Sequence, residues 1–117
     1  MSYHVYVVRN ETRDRAIEQG SPADFFEREK DLEPFTKAQL KELSSRLEMV
    51  GFKKARAKGD ELRFENRDLG ASALLSKRAL YLTASGEEAV FEIQMIASEW
   101  AGEGQLAKFD PQAGEWE

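Results

Sequence analysis

The side chains that could do chemistry in this chain are few, and the missing ones narrow the field. There is no cysteine among the 117 residues and only one histidine, His4. Without thiols there can be no thiolate nucleophile, no disulfide and no cysteine-ligated zinc. No serine stands in a Gly-x-Ser-x-Gly turn, which is the setting that exposes a serine nucleophile at the end of a strand. His4 lies in an alternating run, Tyr3 to Val8, with no partner at catalytic spacing, so it reads as a structural histidine. No His-x-x-x-His pair or calcium-loop spacing occurs, and neither a metal nor a cofactor is expected. The stretch Gly102 to Ala107 has the letters of a dinucleotide fingerprint, but the strand, turn and helix that give those letters their meaning are not written around it.

Two constellations remain. Paired carboxylates can perform acid–base work when burial shifts one pKa, and Glu92 with Glu65, on the outer face of a sheet, is the candidate pair. The plainer reading is a solvated acidic face. The second constellation is the basic run from Lys53 to Lys58, reinforced by Arg63, Arg67, Lys77 and Arg78. Strand alternation puts Lys54, Arg56 and Lys58 on one solvent face, with Tyr81 near it. Basic and aromatic residues interleaved on a sheet can hold single-stranded nucleic acid. Acidic neighbours cancel part of this charge, and a basic strip suits an acidic protein partner equally well.

The charge balance favours the protein partner. The chain carries a net charge of −5, unevenly spread: residues 37–86 total +5 and residues 87–117 total −7. An acidic chain is poorly suited to a broad phosphate-facing surface, so nucleic acid is the less favoured partner. Hydrophobic residues make up 41% and charged residues 33%, the balance of an ordinary soluble protein. No apolar run approaches the ~20 residues of a membrane span, and the first residues lack the pattern of a secretion signal. The expected location is the cytoplasm.

The elements that must position these groups are legible from periodicity. Residues 71–97 read as three antiparallel strands. The first two join at a two-residue turn, Lys77-Arg78, so that Leu75 and Ala73 share a face with Leu80, Leu82 and Ala84. Treating 89–96 as a third strand adds Ala89, Phe91, Ile93 and Met95 to that face, and leaves Tyr81, Thr83, Glu92 and Gln94 on the other. Tyr3 to Val8 is apolar on both sides, as a central strand would be. Residues 52–66 form a hairpin about Gly59-Asp60, with Lys58 opposite Glu61, Arg56 opposite Arg63 and Lys54 opposite Glu65. Residues 9–20 read as a loop with a single helical turn. A last short strand is expected over 105–109, with Trp116 packed back on the body.

Two helices are expected, over about 22–32 and 37–50. Ser21-Pro22 starts the first. The second has a capping box, Thr36 with Gln39, and Phe35 poised to staple onto Leu40. Its stripe is Leu40, Leu43, Leu47 and Val50, and Gly51-Phe52 ends it in a Schellman motif. The architecture that follows is a single α+β domain: a mostly antiparallel, twisted sheet of about six strands with both helices on one face.

For function, the expectation is non-catalytic protein recognition, of inhibitor or immunity type, through the polar sheet face or an edge strand. The contact residues would be Tyr81, Arg56, Lys54, Arg63, Glu92 and Trp100, and the partner another protein or a second copy. Two alternatives stand beside it. One is a small-ligand or weakly equipped acid–base site between helices and sheet, lined by Phe25, Phe26, Tyr6 and Trp100. The other is nucleic-acid binding by strip 53–58.

Overall fold

The computed structural model describes residues 2–18, 32–59, 61–102, 106–111 and 115–116. One continuous antiparallel sheet carries seven strands: β1 (Ser2–Arg9), β2 (Lys53–Lys58), β3 (Glu61–Asn66), β4 (Ala71–Leu75), β5 (Leu80–Ser85), β6 (Leu106–Asp110) and β7 (Glu115–Trp116). Their spatial order is β2-β3-β4-β5-β1-β6-β7, so β1 is a central strand, as its two apolar faces require. Among the described residues three helices accompany the sheet: α1 (Asn10–Glu18), α2 (Lys37–Met49) and α3 (Glu87–Ala101). The fold is α+β.

The meander from β2 to β5 follows the sequence pattern closely. Leu75 lies opposite Leu80 and Ala73 opposite Leu82, and the turn between them closes with Ser76 N–H donating to Ala79 O at 2.9 Å. These residues, with Val5, Val7 and Phe64, form the floor of the main core. The β2–β3 hairpin has a bulge between Lys54 and Arg56, which shifts the outer register. Lys53, not Lys54, therefore lies opposite Glu65, while Lys54 lies opposite Phe64.

α2 covers the core face as its stripe demands. Thr36 Oγ1 accepts from Gln39 N at 3.0 Å, and Gln39 Oε1 accepts from Thr36 N at 2.9 Å. Leu43 and Leu47 are buried against the sheet, whereas Val50 at the helix end is exposed. The Schellman end forms: Phe52 N–H donates to Leu47 O at 2.9 Å and Gly51 N–H to Glu48 O at 3.2 Å, with Gly51 at φ +98°.

The largest departure is residues 87–101, which form a helix rather than a strand. Two periods compete there. Ala89, Phe91, Ile93 and Met95 alternate, but Ala89, Ile93, Ala97 and Trp100 recur at helical spacing over a longer span, and these four are the buried ones. Glu87 and Glu88 occupy the positive end of the helix, and Ala, Glu, Gln and Met are good helix formers. The longer period wins, and Phe91 and Met95 point to solvent. α3 packs on β1, β5 and β6 beside α2.

A second departure is α1, nine residues of helix where the sequence pattern gives a loop with one helical turn. It lies on the opposite face of the sheet, against β1 and β6, where Ala16 joins Val8, Leu32, Ala79 and Ala107 in a smaller core. Its tethers are mostly polar, which is why hydrophobic periodicity misses it. Buried Thr12 accepts from Glu33 N–H at 2.8 Å, Arg15 meets Glu33 at 3.4 Å, and Arg9 donates to Pro34 O at 3.0 Å. The helix expected over about 22–32, with Phe25 and Phe26, lies outside the described residues except for Leu32, which is buried.

Candidate functional site

Because antiparallel partners point to the same side, the strand register orders side chains into rungs across the sheet. On the face opposite α2 and α3, one rung takes a residue from every strand. Arg56 lies opposite Arg63, Arg63 opposite Leu74, Leu74 opposite Tyr81, Tyr81 opposite Tyr6, Tyr6 opposite Phe109, and Phe109 opposite Trp116. The rung is basic at one edge and aromatic at the other.

The aromatic half is a contiguous stack. Tyr6 meets Tyr81 edge-on with centroids 5.0 Å apart, Phe109 lies 6.3 Å from Tyr6, and Trp116 lies 4.7 Å from Phe109. All four are partly buried. Burial raises the Tyr6 pKa above its ordinary value by disfavouring the phenolate. At the basic half Arg63 is exposed and makes no ion pair among the described residues. Arg63 therefore offers a guanidinium to a carboxylate or phosphate from outside.

A neighbouring rung is polar. It runs Lys53, Glu65, Ser72, Thr83 and His4, with His4 Nδ1 3.1 Å from Thr83 Oγ1. A shallow groove of about 340 Å³ opens here, lined by Glu65, Arg67, Ser72, Thr83 and Ser85 among others. The arrangement offers one cation, three hydroxyls and one carboxylate, which can bind a polar segment.

The residues singled out by sequence therefore divide. Tyr81, Arg63 and Arg56 share one rung. Lys54 is exposed, but the bulge moves it off their register. Glu92 is exposed on α3, on the other side of the sheet from Glu65, so the proposed carboxylate pair does not form. Trp100 is a core residue at 5% exposure, with the Arg46 guanidinium 6.0 Å from its ring centre. Tyr6 and Trp100 lie on opposite faces of the sheet and line no common groove. Of the residues expected to reinforce the basic strip, Arg78 is committed to Leu32 O at 2.7 Å.

Sequence reading missed a polar network joining β1, β6 and α3. Tyr3 donates to Asp110 Oδ2 at 2.7 Å, and Gln94 Nε2 donates to the same oxygen at 3.1 Å. Lys108, 7% exposed, donates to Ser98 Oγ at 2.9 Å. The hydrogen bond to Asp110, helped by burial and by the carboxylate's charge, raises the Tyr3 pKa. A phenol held protonated against a carboxylate that already accepts two hydrogen bonds is a strut between elements, not a poised acid–base pair. The signal for it was Lys108 and Asp110 at strand spacing beside a helix, legible only once α3 is read as a helix.

Among the described residues no three histidine, aspartate or glutamate side chains converge as metal ligands, and no helix is long and apolar enough to cross a membrane. A scan against protein-family models finds no match to this chain, and a search of curated proteins finds none.

Proposed function

We propose that this chain is a non-catalytic recognition module that binds an acidic segment of a protein partner on the sheet face carrying Arg56, Arg63 and Tyr81. The observation that carries this reading is the rung in which Arg63, exposed and without an ion pair among the described residues, stands beside Leu74 and Tyr81. A cation next to an apolar and an aromatic side chain suits a carboxylate followed by a hydrophobic residue. The groove along Arg67, Ser72, Thr83 and Ser85 extends the contact in the polar direction. Strand β2 is a less suitable handle, because its lysines and bulge discourage the pairing of a further strand. An inhibitor- or immunity-like role in the cytoplasm is consistent with this surface by analogy of class.

The test is affinity capture from a lysate of the source organism with the wild-type chain and with Arg63→Glu. Arg63 is exposed, so its replacement is expected to leave thermal stability unchanged. A stoichiometric protein partner whose retention falls about tenfold or more in the variant supports the reading. A partner held equally by both overturns it, and so does retention of nucleic acid that is lost steeply with salt.

A further inference from the structure

We propose that the solvent side of α3 is a docking surface for a cationic amphipathic segment of a protein partner, distinct from the sheet-face site and on the opposite side of the sheet. The helix buries Ala89, Ile93, Ala97 and Trp100. Its other side presents Phe91 at 61% exposure and Met95 at 54%, one helical turn apart. Two large apolar side chains adjacent in this way form a single patch, not scattered surface residues.

The charged residues that α3 itself sets around that patch are of one sign. α3 contains Glu87, Glu88, Glu92 and Glu99 and no basic residue. Glu88, Glu92 and Glu99 are exposed and form no ion pair among the described residues. Several of these choices work against the helix on its own. Glu88 and Glu92 are like charges at i, i+4, and Glu99 stands in the last turn, at the negative end of the helix, where a base is preferred. Only Glu87 and Glu88 benefit from the helix ends. Local rules broken together on one face, with no ion pair among the described residues to compensate, mark a surface shaped for something else. A partner with an apolar centre and lysine or arginine flanks would relieve each of them at once.

The charge pattern also selects against the other occupants. Symmetric pairing of α3 with α3 of a second copy would set these acidic rows against each other. An anionic membrane surface would repel them in the same way.

The experiment titrates the isotope-labelled chain with two synthetic peptides of equal charge and composition. One is a leucine–lysine helix with its leucines at i, i+3 and i+4, and the other is the same residues scrambled to remove amphipathicity. The expected result is that the amphipathic peptide binds about tenfold or more tightly than the scrambled one and shifts amide signals along 88–99. The double variant Phe91→Ser/Met95→Ser, which touches only exposed side chains, is expected to keep its helix signal and lose that preference. Equal binding of the two peptides, shifts centred away from α3, an unaltered preference in the double variant, or concentration-dependent dimerisation abolished by that variant would each overturn the proposal. Arg63→Glu is expected to leave peptide binding intact, which separates this surface from the sheet-face reading.

Discussion

The side-chain amide of Asn66 donates to the carbonyl of Val50 at 3.2 Å, tying the end of β3 to the end of α2. Its oxygen accepts from Leu69 N–H at 3.1 Å, so one buried residue holds both the helix terminus and the β3–β4 turn. Gly51 sits against the same amide: a Cβ there would lie 3.1 Å from Asn66 Nδ2, at a backbone φ of +98°. Asn66→Ala is expected to cost about 1–3 kcal/mol by stranding buried polar groups. Gly51→Ala is expected to cost about 1–2 kcal/mol from left-handed strain. Because removing the Asn66 amide also removes the crowding at Gly51, the double variant should cost less than the two single effects added. Urea unfolding of the four proteins measures this coupling, and strict additivity would count against the contact.

The two sides of α3 should respond very differently to truncation. Ile93 is fully buried, and Ile93→Ala is expected to cost about 2–5 kcal/mol. Phe91, two residues earlier, is expected to change stability by no more than about 0.5 kcal/mol when replaced by alanine. Comparable losses at both positions in thermal melts would instead favour a strand in which the two side chains share one face.

Tyr3 gives the stability a defined alkaline dependence. Its pKa is raised in the folded chain by the hydrogen bond to Asp110, by burial and by the carboxylate charge. The fold therefore binds the phenolic proton more tightly than the unfolded chain does. The resulting stabilisation is complete below the ordinary tyrosine value of about 10 and is lost as pH rises through the higher folded value. Tyr3→Phe removes this group, so its stability should decline less steeply above about pH 10 than that of the wild type. Parallel urea-derived pH profiles for the two proteins would contradict the assignment.

Much of the meander was readable because each of its signals acts locally. Leu75 with Leu80, the turn at Lys77-Arg78 and the Thr36–Gln39 box are set by neighbours a few residues away. The β1 strand was readable from its own two apolar faces. Failure came where two periods overlap, as in 89–96, and the longer stripe through Ala97 and Trp100 decided the outcome. It came again at α1, whose docking uses Thr12, Arg9 and Arg15 rather than an oily stripe. Half of the candidate site was legible for the same reason. Arg56 and Arg63 follow from a hairpin register, while their sharing a rung with Tyr81 needs the order of two further strands. The bulge after Lys54 has no marker in its residue types, so the misplacement of Lys54 was unavoidable from periodicity.

The strand order also bears on how the chain acquires its shape during synthesis. The β2–β5 meander can zip up as it emerges, each strand finding the one just made. β1 must wait, because His4 and its partner Thr83 are separated by 79 positions, and its other neighbour, β6, is made later still. Pairings so remote in sequence are slow to form. A nascent β1 therefore spends translation with both of its apolar sides unpaired, a window in which a chaperone or a stray strand competes for it. Ribosome-stalled chains ending before and after β6 would differ sharply in protease resistance at residues 2–9, although their meanders would look alike.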